Sequence, residues 1–217
     1  MLQDTNPIVL LLITITALVS YRGITDAGFL NRFKFQVTHI VNGDKLRMLT
    51  AGFLHTNWLH LGFNMVALYL FGDIVINKLG SLPFLAVYFG SLLAGSFYSL
   101  YYHKKEPYYS AVGASGAVSG IVYSCILLYP EIELMLIFLP IPIPGYIFGV
   151  LYILYSVYGM KKQLGNIGHS AHLGGAIGGF TLTLMFVPEV FSSNQITTMI
   201  LTIPILILVF FGKRLHL

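Results

Sequence analysis

The chain has 217 residues, of which 56% are hydrophobic and only 9% charged, with a mean hydropathy of +0.80. A soluble domain carries about 25% charged residues, so this supply cannot build a water-facing surface and the sequence describes an integral membrane protein. The formal charge of +4 is spread over loops without the basic stripe that nucleic-acid binding requires, and a single cysteine, Cys125, excludes an internal disulfide. The first Lys or Arg, Arg22, follows the first apolar run instead of preceding it, so no signal peptide is expected.

Seven apolar runs follow in chain order: Pro7–Tyr21, Trp58–Ile76, Leu82–Tyr102, Gly113–Tyr129, Pro144–Tyr158, Ala171–Val187 and Thr197–Phe211. A bilayer core takes about 20 apolar residues per helix, fewer where the membrane thins. Backbone groups in lipid must be satisfied within the segment, so these runs are expected as helices; the alternating strands of a barrel are absent. Pro204 interrupts the seventh run. Tyr21, Trp58, Tyr101, Tyr102, Tyr108, Tyr109, Tyr129 and Tyr158 sit at segment ends, as an aromatic belt would place them. The connection from Arg22 to Asn57 mixes Phe29, Phe33 and Phe35 with Arg32, Lys34, Lys45 and Arg47, which predicts an interfacial, partly embedded lobe. Leu139-Pro140-Ile141-Pro142-Ile143-Pro144 cannot be helical and reads as an extended connector into the fifth span, Gly145–Tyr158.

Polar residues inside such runs are functional candidates. His60 and Asn64 lie at the start of span two, Ser115 at the start of span four and His172 at the start of span six. If spans alternate in direction, these three ends open on one face of the membrane, whichever way the protein is oriented. His60 and Asn64, four residues apart, share a helical face. Span four carries Gly116 and Gly120, and span six carries Gly174, Gly175, Gly178 and Gly179; such small-residue faces let helix backbones approach closely. Packing alone accounts for many glycine stripes, but here polar residues sit on top of them. Pro130 ends span four fifteen residues after Ser115, about 22 Å of helix, against about 30 Å of hydrocarbon. The serine is therefore expected below the membrane surface, and hydrolysis there needs a water-filled cavity.

Gly113-Ala114-Ser115-Gly116 matches the G-x-S-G nucleophile motif of the rhomboid family of intramembrane serine proteases. Ala171-His172-Leu173-Gly174-Gly175 matches that family's A-H-x-x-G motif. The stretch from His55 through His60 to Asn64 matches its H-x-x-x-x-H-x-x-x-N signature, and Leu46-Arg47 resembles its Trp-Arg pair with the Trp replaced. The similarity runs from about Arg22 to Phe186. It implies an all-α polytopic fold: a rhomboid-like six-helix transmembrane core over 1–187, an embedded first loop, and a seventh C-terminal helix within 188–217. It further implies that Ser115 is the nucleophile and His172 the base. The Ser115 backbone N–H, His60 and Asn64 would hold the oxyanion, with Gly113, Gly116 and Gly175 supporting the motifs and no cofactor or metal. The fifth span and the Pro140–Pro144 run would control lateral entry of transmembrane protein substrates from the bilayer. The membrane expected is the plasma (inner) membrane of a prokaryote. The chain departs from the family four residues after the nucleophile, where an aromatic ring usually stacks on the catalytic histidine and Ser119 stands here. His172 must then be positioned by other contacts; His169 is one substitute neighbour, although its place suggests a surface loop.

Other chemistries fit less well. A zinc protease would need H-E-x-x-H, whereas His169 and His172 are i, i+3 with no carboxylate nearby. An aspartyl protease needs two membrane aspartates, and only Asp73 lies in a span. A soluble-type lipase would need G-x-S-x-G. A transporter using His60 or His172 as a proton relay would show repeated halves. The main rival is an inactive rhomboid-like protein that binds transmembrane clients, though such relatives usually lack the serine or histidine. Orientation divides the signals: eleven of twelve Lys and Arg residues fall on the active-site side and only Lys78 on the other. The positive-inside rule thus favours a cytoplasmic site, opposite to the family's arrangement.

Overall fold

The structure, a computed structural model, describes residues 5–136, 139–164 and 168–211. The first helix, α1 (Pro7–Thr25), starts where Pro7 supplies a preset φ and Asn6 Oδ1 accepts from Ile8 N at 3.0 Å. Asn6 N in turn donates to Asp73 Oδ1 at 2.8 Å, so the one span aspartate ties two helices together. The lobe that follows contains α2 (Ala27–Phe33), β1 (Phe35–Gln36), α3 (Val37–Val41) and α4 (Arg47–Thr50), then a single 3₁₀ turn, Ala51–Phe53. It has a small core of its own, Phe35, Val37, Ile40, Met48 and Ala51. Arg47, 7% exposed, clamps it: Nε donates to Asp44 Oδ2 at 2.7 Å and Nη1 to the carbonyls of Asn31 and Lys34. A charge committed in this way says little about membrane sidedness. Lys213 and Arg214 of the charge tally lie outside the described residues.

Two long helices come next, α5 (Trp58–Leu79) and α6 (Ser81–Tyr102), separated only by Gly80 at φ +81°, a conformation suited to glycine. After β2 (Ser110–Ala111), which pairs antiparallel with β1, comes α7 (Ser115–Leu128). Its 14 residues reach about 21 Å, too short to cross about 30 Å of hydrocarbon. Nearly every residue of α7 is buried, as expected for a helix apolar all round, and it forms the central post of the fold. By length and composition α1, α5 and α6 are each able to cross a membrane.

The proline run is extended, as its composition requires, but it does more than connect. As β4 (Leu139–Pro144) it pairs antiparallel with β3 (Glu133–Leu136), through an irregularity between Leu134 and Leu136. A hairpin therefore leads into α8 (Gly145–Lys162), which ends at Gln163 in the left-handed region. The sixth span begins earlier than expected: α9 is His169–Phe186. His169 is accordingly no surface-loop residue but 3% exposed, its ring filling the space over Gly159. After α10 (Val190–Ser193), α11 (Gln195–Phe211) packs along α8, with Leu201 seated in the notch left by Gly149.

The glycines of spans four and six meet as anticipated. A Cβ on Gly175 would collide with the backbone of Gly116, and one on Gly179 with that of Gly120. The third partner was not evident from sequence. Gly174 and Gly178 face α6, where Gly95 lies against Ala171 O and Ala94 against Gly178. Helices α6, α7 and α9 thus approach at backbone contact, which sets the first turns of α7 and α9 side by side.

Candidate active site

Three helix N-termini converge at the top of this packed trio. Ser115 is the first residue of α7, and Gly113 two residues before it has φ +133°. Glycine is required there twice over. The conformation is one L-residues rarely adopt, and a Cβ would sit 2.8 Å from His60 Cε1 and 3.0 Å from His60 Nε2. The same point is 3.6 Å from Ser115 Oγ. The His60 imidazole and the serine hydroxyl therefore flank one small space beside Gly113. His60 owes its place to Asn57, whose Oδ1 caps α5 by accepting from His60 N at 2.8 Å. Asn64, one turn along, is buried and donates through Nδ2 to His60 O at 3.0 Å. A side-chain amide has two N–H groups, so one remains for another acceptor.

His55 holds the serine turn from behind. Ser20 Oγ donates to Phe53 O at 2.9 Å and also lies 2.8 Å from His55 Nδ1. With its only hydrogen committed to Phe53, Ser20 must accept from Nδ1–H. Nε2 of the neutral ring then accepts from Ala114 N at 3.3 Å. Only one tautomer of an uncharged imidazole satisfies both bonds. Burial, and secondarily the charge of His60, pulls the His55 pKa down to about 3, which keeps it in that form. Gly113 N donates to Ala51 O at 3.0 Å, fixing the turn to the lobe.

His172 lies in the first turn of α9, its N–H donating to Gly168 O at 3.0 Å. Its ring lies near-parallel to that of Tyr152 from α8, at 18° with centroids 5.9 Å apart, and edge-on to His169 at 6.1 Å. Tyr152 is the residue that sequence reasoning missed; the available signal was the missing ring at Ser119, which calls for an aromatic from another helix. Ser115 Oγ and His172 form no hydrogen bond with each other among the described residues. Such bonds are often long in unliganded enzymes and tighten with substrate. Ser115, Ser96, Ser99, Gly113, Gly116 and Ala171 line a cavity of about 30 Å³, room for one or two waters. Among the described residues, no group of three His, Cys, Asp or Glu side chains is arranged to hold a metal ion.

A family model, Rhomboid domain, matches residues 42–189, a stretch that takes in all three motifs and every side chain just described except Ser20. The chain belongs to the rhomboid family. It is a multi-pass integral membrane protein with the helical architecture of that family. Rhomboid protein 1, mitochondrial, of Saccharomyces cerevisiae is 31% identical over 138 residues, which cover 62% of this chain and 40% of the yeast protein. Rhomboid protease GluP of Bacillus subtilis is 37% identical over 141 residues, 65% of this chain and 26% of GluP. YdcA of Bacillus subtilis is 32% identical over 155 residues, 69% of this chain and 71% of YdcA. This rhomboid chain therefore spans well under two thirds of the yeast protein and of GluP, and nearly three quarters of YdcA.

Proposed function

We propose that this chain is an intramembrane serine endopeptidase that cleaves transmembrane protein substrates with Ser115 and His172. The observation that carries the reading is the turn at Gly113, which puts the Ser115 hydroxyl and a potential hydrogen-bond donor, the His60 imidazole, around one small space. Ser115 Oγ attacks the scissile carbonyl while His172 takes its proton; the carbonyl electrons move onto oxygen. The oxyanion accepts from the Ser115 N–H, which has no intrahelical partner at the start of α7, from His60 and from the free N–H of Asn64. Collapse of the intermediate breaks the C–N bond, and His172 returns the proton to the leaving amine. A water from the cavity beside Ser115 then attacks the acyl-enzyme with His172 again as base, releasing the acid and restoring the serine. No carboxylate belongs to the motifs, so the pair acts as a dyad.

We further take 1–187 as the catalytic unit and 188–217 as an added span. The end of the family match at residue 189 supports this division. Two relatives, GluP and YdcA, come from the bacterium Bacillus subtilis, which supports a prokaryotic plasma membrane, whereas the yeast relative is mitochondrial by name.

The test is labelling by a serine-directed fluorophosphonate, together with cleavage of a transmembrane reporter by purified protein. Wild type should label and cut, and Ser115→Ala and His172→Ala should do neither while staying folded. Wild-type protein that neither labels nor cuts, but still co-purifies with transmembrane segments, would instead identify the inactive client-binding relative.

A further inference from the structure

Resting on the dyad reading, we infer that Tyr152 is the positioning residue for His172, supplied from α8 in place of the ring that Ser119 does not provide. The geometry begins with two hydroxyls. Ser119 Oγ donates to Ser115 O at 2.6 Å, which uses its only hydrogen. Tyr152 Oη, 2.5 Å away, must therefore donate to Ser119 Oγ. That bond pins the far end of the Tyr152 ring to α7, one turn below the serine. The face of the ring lies 18° from the His172 plane at 5.9 Å between centroids, within the range of offset aromatic stacking. Phe148, one turn earlier on α8, lies 22° from Tyr152 at 6.1 Å, so three rings form a near-parallel series.

The helix that bears this ring is itself held to α7. Tyr123 Oη donates to Gly149 O, and Leu201 of α11 fills the notch over Gly149 beside it. A ring fixed at one end by a hydrogen bond and backed by a second ring leaves imidazole little freedom about its terminal torsion. An aromatic face also stabilises the imidazolium that forms when His172 takes the serine proton. Both effects act on the proton-transfer step and leave substrate binding largely untouched. Because Ser119 and Tyr152 touch, their side chains can be exchanged with little change in total volume.

The experiment compares wild type with Tyr152→Phe, Tyr152→Ser and the exchange Ser119→Tyr/Tyr152→Ser. It uses reporter cleavage and the ring-carbon and ring-proton NMR shifts of His172. Tyr152→Ser should lower kcat by about 3- to 10-fold with KM within about twofold, and move the His172 shifts as the ring current is lost. Tyr152→Phe keeps the ring but not the pin and should fall in between. The exchange should recover kcat to within about twofold and restore a stacked shift, an outcome a purely packing role for Tyr152 does not produce. Unaltered His172 shifts and kcat in folded Tyr152→Ser, or an exchange that folds yet recovers neither, overturns the assignment. If wild type proves inactive and unlabelled, the protease reading fails, and the NMR shifts still decide whether Tyr152 positions His172.

Discussion

Replacing Gly175 by alanine tests the claim that backbone contact between α7 and α9 sets the site. The new Cβ would overlap Gly116 O and lie 2.7 Å from Gly116 C and 2.8 Å from Gly116 Cα. All three are main-chain atoms of the central helix, so no side chain can swing aside. Carbon atoms pack at about 3.5 Å, and the helices must part by at least about 0.8 Å. Overpacking of this kind costs about 1–3 kcal/mol, against about 1 kcal/mol gained from alanine's helix propensity. Net destabilisation of about 0–2 kcal/mol should lower the unfolding midpoint while leaving a folded population. Activity should suffer more, because Ser115 and His172 lie one and three residues from the colliding pair. A displacement near 1 Å can cost about 100-fold, so kcat should fall between 10- and 100-fold. Initial rates of reporter cleavage in proteoliposomes, paired with thermal unfolding, measure both. Gly62→Ala is the control: nothing lies within 4 Å of its added Cβ, and it should cut at the wild-type rate. A Gly175→Ala protein with wild-type kcat and midpoint would refute the close-approach argument.

Gly113→Ala combines a φ of +133° with a Cβ against the His60 ring, and should reduce kcat by at least about 100-fold, the value of one oxyanion donor, and lower the unfolding midpoint through about 1–3 kcal/mol of backbone strain. Equal kcat in the two proteins would separate His60 from the chemistry. Asn64→Ala should lower kcat more than it raises KM under the proposed oxyanion role of its second N–H; a pure KM effect argues against that role. His55 gives a pH signature. With its folded pKa near 3 and an unfolded value near 6.5, the unfolded chain binds the extra proton between those limits, so stability rises with pH there. Acidification below about pH 6.5 should remove up to about 1.4 kcal/mol per unit, and His55→Gln should show a shallower fall in unfolding midpoint; parallel curves for the two proteins would show that His55 does not carry the effect.

Much of this protein is written locally. A 9% charge content dictates a membrane chain, apolar runs fix where helices form, and Asn6 and Asn57 mark helix starts through side chains that act within three residues. The motifs around His60, Ser115 and His172, with the parity of their spans, put those residues at one end of the helix bundle, because successive spans alternate in direction. Short-range rules also kept the proline run out of a helix. They could not say that it would find β3 as a partner, since pairing depends on where the chain returns. Tertiary structure alone decided which ring reaches His172, that α6 completes the glycine-packed trio, and that His169 is buried under Gly159. Each of these is a meeting of residues far apart along the chain. Spacing within a helix carries no information about the face a neighbouring helix presents; only the close approach allowed by Gly116, Gly175 and Gly95 brings those faces together.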